Sequence, residues 1–150
     1  MISPKNMFES MPNTGPEIQV ACALIWRDGQ ILLSRRHQSA HQGGLWEFPG
    51  GKLEPEETIE NCISRELKEE LAISVKVGEE LITIDHAYSH KKLRFVVHLC
   101  NWISGDPKPL ASQQVRWVEL KKLFDYPFPA ANSQIIHALL CLDNIKKHCS

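Results

Sequence analysis

The segment GKLEPEETIENCISRELKEELAI, residues 51–73, carries the clearest structural signal in this sequence. Its second half has the spacing of apolar residues that is typical of an amphipathic helix. At about 100° per residue, Ile59 and Ile63 define a stripe that faces the core, and the stripe continues at Glu66 and Glu70. Carboxylates therefore occupy positions for which the helical pattern calls for apolar side chains.

Glu69 adds a third carboxylate, because it lies one helical turn from Glu66 and next to Glu70. Mutual repulsion and loss of hydration at such a cluster oppose folding unless a cation compensates. Carboxylates without a neighbouring His or Cys suit Mg²⁺, with Mn²⁺ as a substitute. The alternative is an ordinary solvated face, but the phase of the apolar stripe favours a functional site.

The elements around this helix predict a mixed sheet. Apolar runs at Ile18–Trp26 and Ile31–Arg36 flank Asp28-Gly29 and predict two strands joined by a tight hairpin. Residues 37–46 are expected to form a loop, and Phe48-Pro49-Gly50-Gly51 to break any regular element. The other predicted elements are a helix at Thr58–Leu71, strands at Ser74–Val77, Leu81–Ala87, Leu93–Trp102 and Val115–Val118, and a helix at Asn132–Ile145. Because strands outnumber helices and connect partly by hairpins, we expect an α+β fold with helices packed on the faces of a mixed sheet.

The composition limits the classes of protein to which the chain can belong. The chain has 150 residues, near the commonest size for one domain, and its 17 basic and 18 acidic residues create no positive field that would attract a nucleic acid polymer. Its five cysteines show no ligand spacing, so we expect reduced thiols and a cytoplasmic location. Residues 1–16 lack the apolar stretch of a signal peptide or a membrane span. We expect a flexible tail at 1–16, one domain at 17–150 and no membrane partner, while the oligomeric state stays open.

The segment 51–73 resembles the Nudix box, whose pattern is a Gly, a Glu six residues later, and then Arg-Glu-aliphatic-x-Glu-Glu-x-Gly-aliphatic. The matching residues are Gly51, Glu57, Arg65, Glu66, Leu67, Glu69, Glu70 and Ile73. Ala72 stands where the pattern has Gly. This position ends the helix, where Gly favours a left-handed cap without touching metal ligands, so we expect Ala72 to alter the cap and not the chemistry.

The resemblance implies a Nudix-type α/β/α sandwich with the catalytic helix on one face of the sheet. It also implies a magnesium-dependent hydrolase, in which water attacks a phosphorus in line with the leaving pyrophosphate. By resemblance, Glu66, Glu69 and Glu70 coordinate the metal, the Gly50 carbonyl completes the shell, and Glu57 either joins them or is held by Arg65. Arg65 is expected to orient the carboxylates. Glu66 is the expected proton acceptor, although spacing does not settle which glutamate takes the proton.

Outside the box, the sequence is similar to the MutT group, the diphosphatases that remove 8-oxo-dGTP from the nucleotide pool. The similarity lies in ILLSRRHQ, GLWEFPGGK and FPAANSQII. It implies that Phe48 and Asn132 hold the purine and that Arg36 lies near the nucleotide. Each has a structural alternative: Phe48 as a core residue, Arg36 as a solvated strand end, and Asn132 as a helix cap.

One departure concerns the metal shell. Many MutT-like chains have a Glu six residues before the Trp of the late strand, and here that place before Trp117 is Ala111. Water, His90 or another loop group could substitute, and none is assigned. Two rival functions also stay open: a Nudix pyrophosphatase for CTP or a modified pyrimidine triphosphate, and a non-catalytic module that recognises oxidised purines.

Overall fold

The apolar run IQVACALIW forms strand β1 (Glu17–Arg27) in a computed structural model that describes residues 17–88 and 90–149. Asp28 and Gly29 have φ angles of 49° and 79°, as a two-residue hairpin turn requires, and the chain returns as β2 (Gln30–Arg35). Arg27 pairs directly with Gln30. The predicted hairpin is therefore confirmed, whereas the predicted tail at residues 1–16 lies outside the described residues.

The later elements are β3 (Trp46–Glu47), β4 (Gly50–Lys52), α1 (Ile59–Leu71), β5 (Ser74–Tyr88), β6 (Lys91–Ser104), β7 (Gln114–Glu119) and α2 (Ser133–Cys149). Two 3₁₀ turns, Leu120–Asp125 and Ala130–Asn132, precede α2. The described strands form one sheet in the order β3-β2-β1-β6-β5, with β4 beside β1 and β7 beside β2. β1 and β6 run parallel, and the other pairs are antiparallel, which confirms the predicted mixed sheet.

Helices cover both faces of the sheet, which explains why β1 is apolar at nearly every position. Cys22 and Leu24 pack on the side of α2, and Ala21, Ala23 and Ile25 pack on the side of α1. The buried helical residues that meet them are Cys62, Ile63, Leu67 and Leu71 of α1 and Ile135, Ile136 and Leu139 of α2. The α/β/α layering expected from the resemblance is present.

Two predictions about the strands were wrong. β5 is one continuous strand, where we predicted separate strands at Ser74–Val77 and Leu81–Ala87, because bulges around Glu80 absorb the break in alternation. The glycines at 50 and 51 do not interrupt the structure but form β4 against β1. A Cβ at Gly50 would overlap the Ala21 carbonyl oxygen, so glycine is what allows this close pairing.

No helix within the described part of the chain is long and apolar enough to cross a lipid bilayer.

The C-terminus of α1 has the conformation that the family pattern anticipates, although the residue is not glycine. Ala72 is left-handed, with φ 59° and ψ 35°, and its N–H donates to the Lys68 carbonyl at 3.1 Å. A left-handed L-residue is strained by its Cβ. Ala72 therefore keeps the cap geometry at a cost in stability.

Replacing Ala72 with Gly should stabilise the protein by about 1 kcal/mol. The left-handed conformation costs an L-residue about 1–2 kcal/mol, and part of the gain is offset by the greater chain entropy of glycine. Urea unfolding measures the effect, and kcat should stay unchanged. Ala138→Gly, the same change inside the right-handed helix α2, should instead destabilise by about 1 kcal/mol. Destabilisation by both variants would contradict the strain at Ala72.

Candidate active site

Helix α1 presents its glutamates along one border of the core. Thr58 caps its N-terminus, because the Thr58 hydroxyl oxygen accepts the Asn61 N–H at 3.1 Å, and the apolar face of the helix packs on the sheet. The Glu66 side chain lies towards that face and is only 12% exposed, whereas Glu69 is 60% exposed. Glu70 is half-buried. The helical pattern thus located Glu66 and Glu70 correctly, and Glu69 stands at the solvent edge.

Arg65 is the cation that holds these carboxylates together. Its Nε and Nη2 donate to the two oxygens of Glu57 at 2.7 and 2.8 Å, a paired geometry that adds strength and direction. Its Nη1 lies 2.9 Å from Glu66 Oε1 and 3.4 Å from Glu69 Oε2. The Arg65 hydrogen bonds, with one from the Glu54 N–H, lower the pKa of Glu57 to about 2. Of the two roles considered for Glu57, the geometry is that of the ion pair with Arg65.

Gly51 makes room for the Glu66 carboxylate. A Cβ at position 51 would come within 2.6 Å of both Glu66 carboxylate oxygens, closer than any non-bonded contact allows. The first glycine of the box therefore has a local steric reason: the carboxylate rests on the backbone of β4.

Glu70 is the acid of the site whose pKa is shifted furthest from its ordinary value. Burial, a hydrogen bond with Glu66 and the negative charges of Glu66, Glu47 and Glu69 together raise the pKa of Glu70 to about 8. Glu70 thus keeps its proton near neutral pH when no cation is bound beside it.

The carboxylate oxygens of this cluster are the kind of ligand that a divalent cation prefers, although they are not arranged as a coordination shell. Within residues 17–88 and 90–149, no three His, Cys, Asp or Glu side chains surround one point at coordination distance. Arg65 engages Glu57, Glu66 and Glu69 instead. Glu66 and Glu70 nevertheless offer hard oxygen donors side by side, and of the two Arg65 pairs with Glu66, so a divalent cation such as Mg²⁺ or Mn²⁺ fits the chemistry of the site.

A cavity of about 520 Å³ opens beside this cluster. Glu70 and Gly50 line it, and so do Arg36, Phe48 and Asn132, three residues far apart in the sequence. Its apolar lining comes from Val20, Ile84, Leu93, Phe95 and Ile135. The fold therefore brings the predicted nucleotide-binding residues to the same cavity as a predicted metal ligand. Glu57, Glu66 and Glu69 are not among the described residues that line it.

The three predicted nucleotide-binding residues differ in their surroundings. Phe48 is only 4% exposed and stacks on Phe128 with ring centroids 5.3 Å apart, so it is a core residue and a cavity wall at once. Arg36 is not a solvated strand end, because it donates to Glu47 at 2.9 Å and to the His41 carbonyl at 2.7 Å. Asn132 ends the 3₁₀ turn before α2, and among the described residues its amide nitrogen donates to the Pro129 carbonyl at a long distance of 3.5 Å.

Comparisons with known proteins agree with this geometry. The NUDIX domain family matches residues 20–138. The chain belongs to the Nudix family.

Two curated relatives and one solved structure show which Nudix proteins this chain is similar to. The CTP pyrophosphohydrolase of Escherichia coli K12 is 35% identical over 83% of this chain and 93% of its own length. The 8-oxo-dGTP diphosphatase of Haemophilus influenzae is 37% identical over 82% and 91%. The crystal structure of the MutT NUDIX hydrolase from Burkholderia pseudomallei superposes with a TM-score of 0.73 at 29% identity, covering 81% of this chain and 97% of that one. The chain is thus a Nudix hydrolase, an enzyme that hydrolyses phosphoric anhydrides.

The loop before β7 of this Nudix hydrolase brings no acid to the site. Ala111 does line the cavity, at the place where related chains were expected to have a Glu. His90 is exposed in the β5–β6 turn and is not among the cavity residues. Among the described residues, the carboxylates that line the cavity are Glu47 and Glu70. The position of His90 does not support it as the substitute for the missing acid, and water or another loop group stays open.

Sequence reasoning missed Glu47, His86 and Ser34, which also line the cavity. The sequence offered a signal for Glu47, because it stands between Trp46 and Phe48 and strand alternation turns it away from the face of these two apolar neighbours. Cys22 lines the cavity too, but burial raises the pKa of its thiol to about 12. It is therefore a neutral thiol at pH 7 and not a nucleophile.

Glu70→Gln should raise the stability of the metal-free protein at alkaline pH. The native protein holds the Glu70 proton up to about pH 8 and the unfolded chain only up to about pH 4.5, so this stabilisation is complete below about pH 4.5 and is lost as the pH rises through about 8. Since Glu70 is partly exposed, we expect a discounted effect of about 1 kcal/mol, or about 2–4 °C in Tm.

Thermal unfolding in EDTA at about pH 4.5 and about pH 9 measures this effect. The variant should match the wild type at the lower pH and exceed it at the higher one. Glu69→Gln, on the same helix but mostly exposed, is the control and should change Tm little at either pH. A Glu70→Gln variant that is less stable at both values would show that the carboxyl group makes a net stabilising contact.

Proposed function

We propose that this Nudix hydrolase converts 8-oxo-dGTP to 8-oxo-dGMP and pyrophosphate, and so removes an oxidised precursor from the nucleotide pool. The observation that carries the proposal is the single cavity lined by Phe48, Asn132 and Glu70. It combines an aromatic wall and an amide for a purine with an acid of the catalytic helix. The free thiols of Cys22, Cys62, Cys100 and Cys141 support action in the reducing cytoplasm.

Phe48 and Asn132 would recognise the base in different ways. The Phe48–Phe128 stack offers a rigid aromatic surface, and the purine ring gains from burial against it. The Asn132 amide has both a donor and an acceptor, a pair that matches one edge of a purine. Because its bond to Pro129 is long, the amide can exchange that bond for contacts with the base at little cost.

Divalent metal dependence is general among Nudix hydrolases, and we propose Mg²⁺ as the metal of this one, with Mn²⁺ as a substitute. Glu66, Glu69 and Glu70 would hold it together with the Gly50 carbonyl, and Glu57 would stay with Arg65. When bound, the metal neutralises phosphate charge and lowers the pKa of a bound water. Arg65 fixes Glu66 and Glu69 in position through its remaining N–H donors.

The reaction needs a proton acceptor for the attacking water. The water oxygen bonds to phosphorus, the phosphorus–oxygen bond to pyrophosphate breaks, and the water proton passes to a carboxylate of α1. The raised pKa keeps Glu70 protonated near neutral pH before metal binds, and Glu66 stays our prediction for the acceptor.

A second candidate is pyrophosphohydrolysis of CTP or a modified pyrimidine triphosphate, favoured by the 35% identity to a CTP pyrophosphohydrolase. The two candidates share the metal chemistry and differ at the base. A screen of oxidised and normal nucleoside triphosphates with pyrophosphate detection separates them through kcat/KM. Highest kcat/KM for 8-oxo-dGTP supports the first candidate, and highest kcat/KM for a cytosine nucleotide replaces it with the second.

The non-catalytic module is disfavoured by the retained glutamates and by the enzymatic relatives.

Glu66→Gln should lower kcat by about two orders of magnitude or more, because it removes charge from the metal site and from the proton-accepting pair. Added Mg²⁺ should raise the Tm of the wild type and raise that of the variant less. Glu60→Gln, at an exposed position of the same helix, is the control and should retain wild-type kcat. Full wild-type activity in excess EDTA would overturn the metal assignment.

Asn132→Ala should lower kcat/KM for 8-oxo-dGTP by about ten- to a hundredfold, since a paired amide contact in a desolvated pocket supplies about 1–3 kcal/mol of discrimination. Hydrolysis of dGTP should change much less. Gln134→Ala removes an exposed amide two residues away and should leave both values unchanged. Equal losses for all nucleotides in Asn132→Ala, or a loss of Tm alone, would make Asn132 a structural residue.

A further inference from the structure

The segment between the two 3₁₀ turns lies alongside β3 and the residue that follows it. The Trp46 ring packs edge-on against Tyr126, with centroids 5.1 Å apart, and the Phe48 ring stacks on Phe128 at 5.3 Å. Between these ring pairs, the Trp46 N–H donates to the Pro127 carbonyl at 2.9 Å. Two ring contacts and a backbone hydrogen bond therefore fix the segment to the part of the chain that carries Phe48.

The end of the same segment holds Asn132. The Pro129 carbonyl accepts the Asn132 backbone N–H at 3.0 Å and the Asn132 side-chain amide at 3.5 Å. Pro129 is buried and lines the cavity beside Asn132. Because Pro129 follows Phe128 directly and its ring fixes its own φ angle, a shift of Phe128 is transmitted to the amide.

Phe128 thus joins the two residues proposed to hold the base. Its ring stacks on Phe48, and its backbone leads through Pro129 to Asn132. A base has to meet both residues at once, and a binding site needs its groups held within about 0.5 Å of the productive geometry. Phe128 is not itself among the residues that line the cavity, so it can act on a base only through these neighbours.

We propose that Phe128 is a positioning residue that sets the separation of Phe48 and Asn132 and thereby the selectivity of the enzyme for its base, an inference that rests on the proposed function of this cavity. The acids of α1 are held by a different contact, the one with Arg65. A change at Phe128 should therefore alter recognition of the base and leave the phosphate chemistry intact.

Phe128→Leu removes the ring and keeps an apolar side chain at this half-buried position. The KM for 8-oxo-dGTP should rise at nearly constant kcat, so that kcat/KM falls by about two- to tenfold, the range that one aromatic pair allows. Hydrolysis of dGTP should change much less, because a poor substrate gains little from the matched geometry. Steady-state kinetics on both nucleotides measure this loss of selectivity.

A double-mutant cycle tests whether Phe128 acts through Asn132. In the Asn132→Ala background the amide is already gone, so Phe128→Leu should cause a smaller loss of kcat/KM for 8-oxo-dGTP than in the wild type. Phe128→Tyr keeps a ring that can stack on Phe48 and should retain wild-type selectivity.

Phe124→Leu is the matched control, because Phe124 is 65% exposed in the preceding 3₁₀ turn. The same substitution there should leave KM, kcat and selectivity unchanged. The rise in Tm that Mg²⁺ causes should be equal in the wild type and in Phe128→Leu, since the acids of α1 are untouched. Phe128→Met, which fills the space with a flexible apolar chain, replaces Phe128→Leu if the latter unfolds at the assay temperature.

Equal losses of kcat/KM for all nucleotides, a lower Tm with unchanged selectivity, or additive losses in the cycle would each overturn the positioning role of Phe128. A wild type without preference for 8-oxo-dGTP would instead count against the proposed substrate. The same variants are then compared on the best and the poorest nucleotide of the substrate screen, so the two failures are distinguishable.

Discussion

The site depends on how one arginine compensates several carboxylates on and beside a single helix. Arg65 joins Glu57, from the loop before α1, to Glu66 and Glu69. Without this cation, the acids would repel one another at the border of the core, and α1 would have to turn them to solvent. Because the two-pronged contact with Glu57 fixes the guanidinium, its remaining donors hold Glu66 in one orientation. Arg65 therefore links the stability of the helix end to the arrangement of the catalytic acids.

Glu70 lies outside that compensation, and this is why it is the perturbed acid. Its pKa rises because it is partly buried and faces Glu66 without an arginine of its own. A group in this state gains most from a second cation. Arg65 thus balances the charge of Glu57 and does not pair with Glu70. Of these two acids, Glu70 is the one that lines the cavity.

The sequence predicted the elements that follow from local rules and missed those that depend on packing. The hairpin at Asp28 and Gly29 and the extent of α1 follow from turn chemistry and periodicity, so both were predicted well. The bulges of β5 and the pairing of Gly50 arise only when neighbouring strands are present, and no local pattern encodes them. In the site, motif spacing located the acids of α1, whereas Ser34 and Glu47 become neighbours only through the β2–β3 register.

Two consecutive glycines let the catalytic helix and the central strand approach each other across the short strand β4. A Cβ at Gly50 would overlap the Ala21 carbonyl oxygen, and a Cβ at Gly51 would displace the Glu66 carboxylate. The position of Glu66 therefore depends on the absence of side chains at these two places as well as on the apolar packing of α1 against β1. A substitution at position 50 would act on the catalytic acid at a distance, through the backbone of β4, whereas one at position 51 would act on it directly.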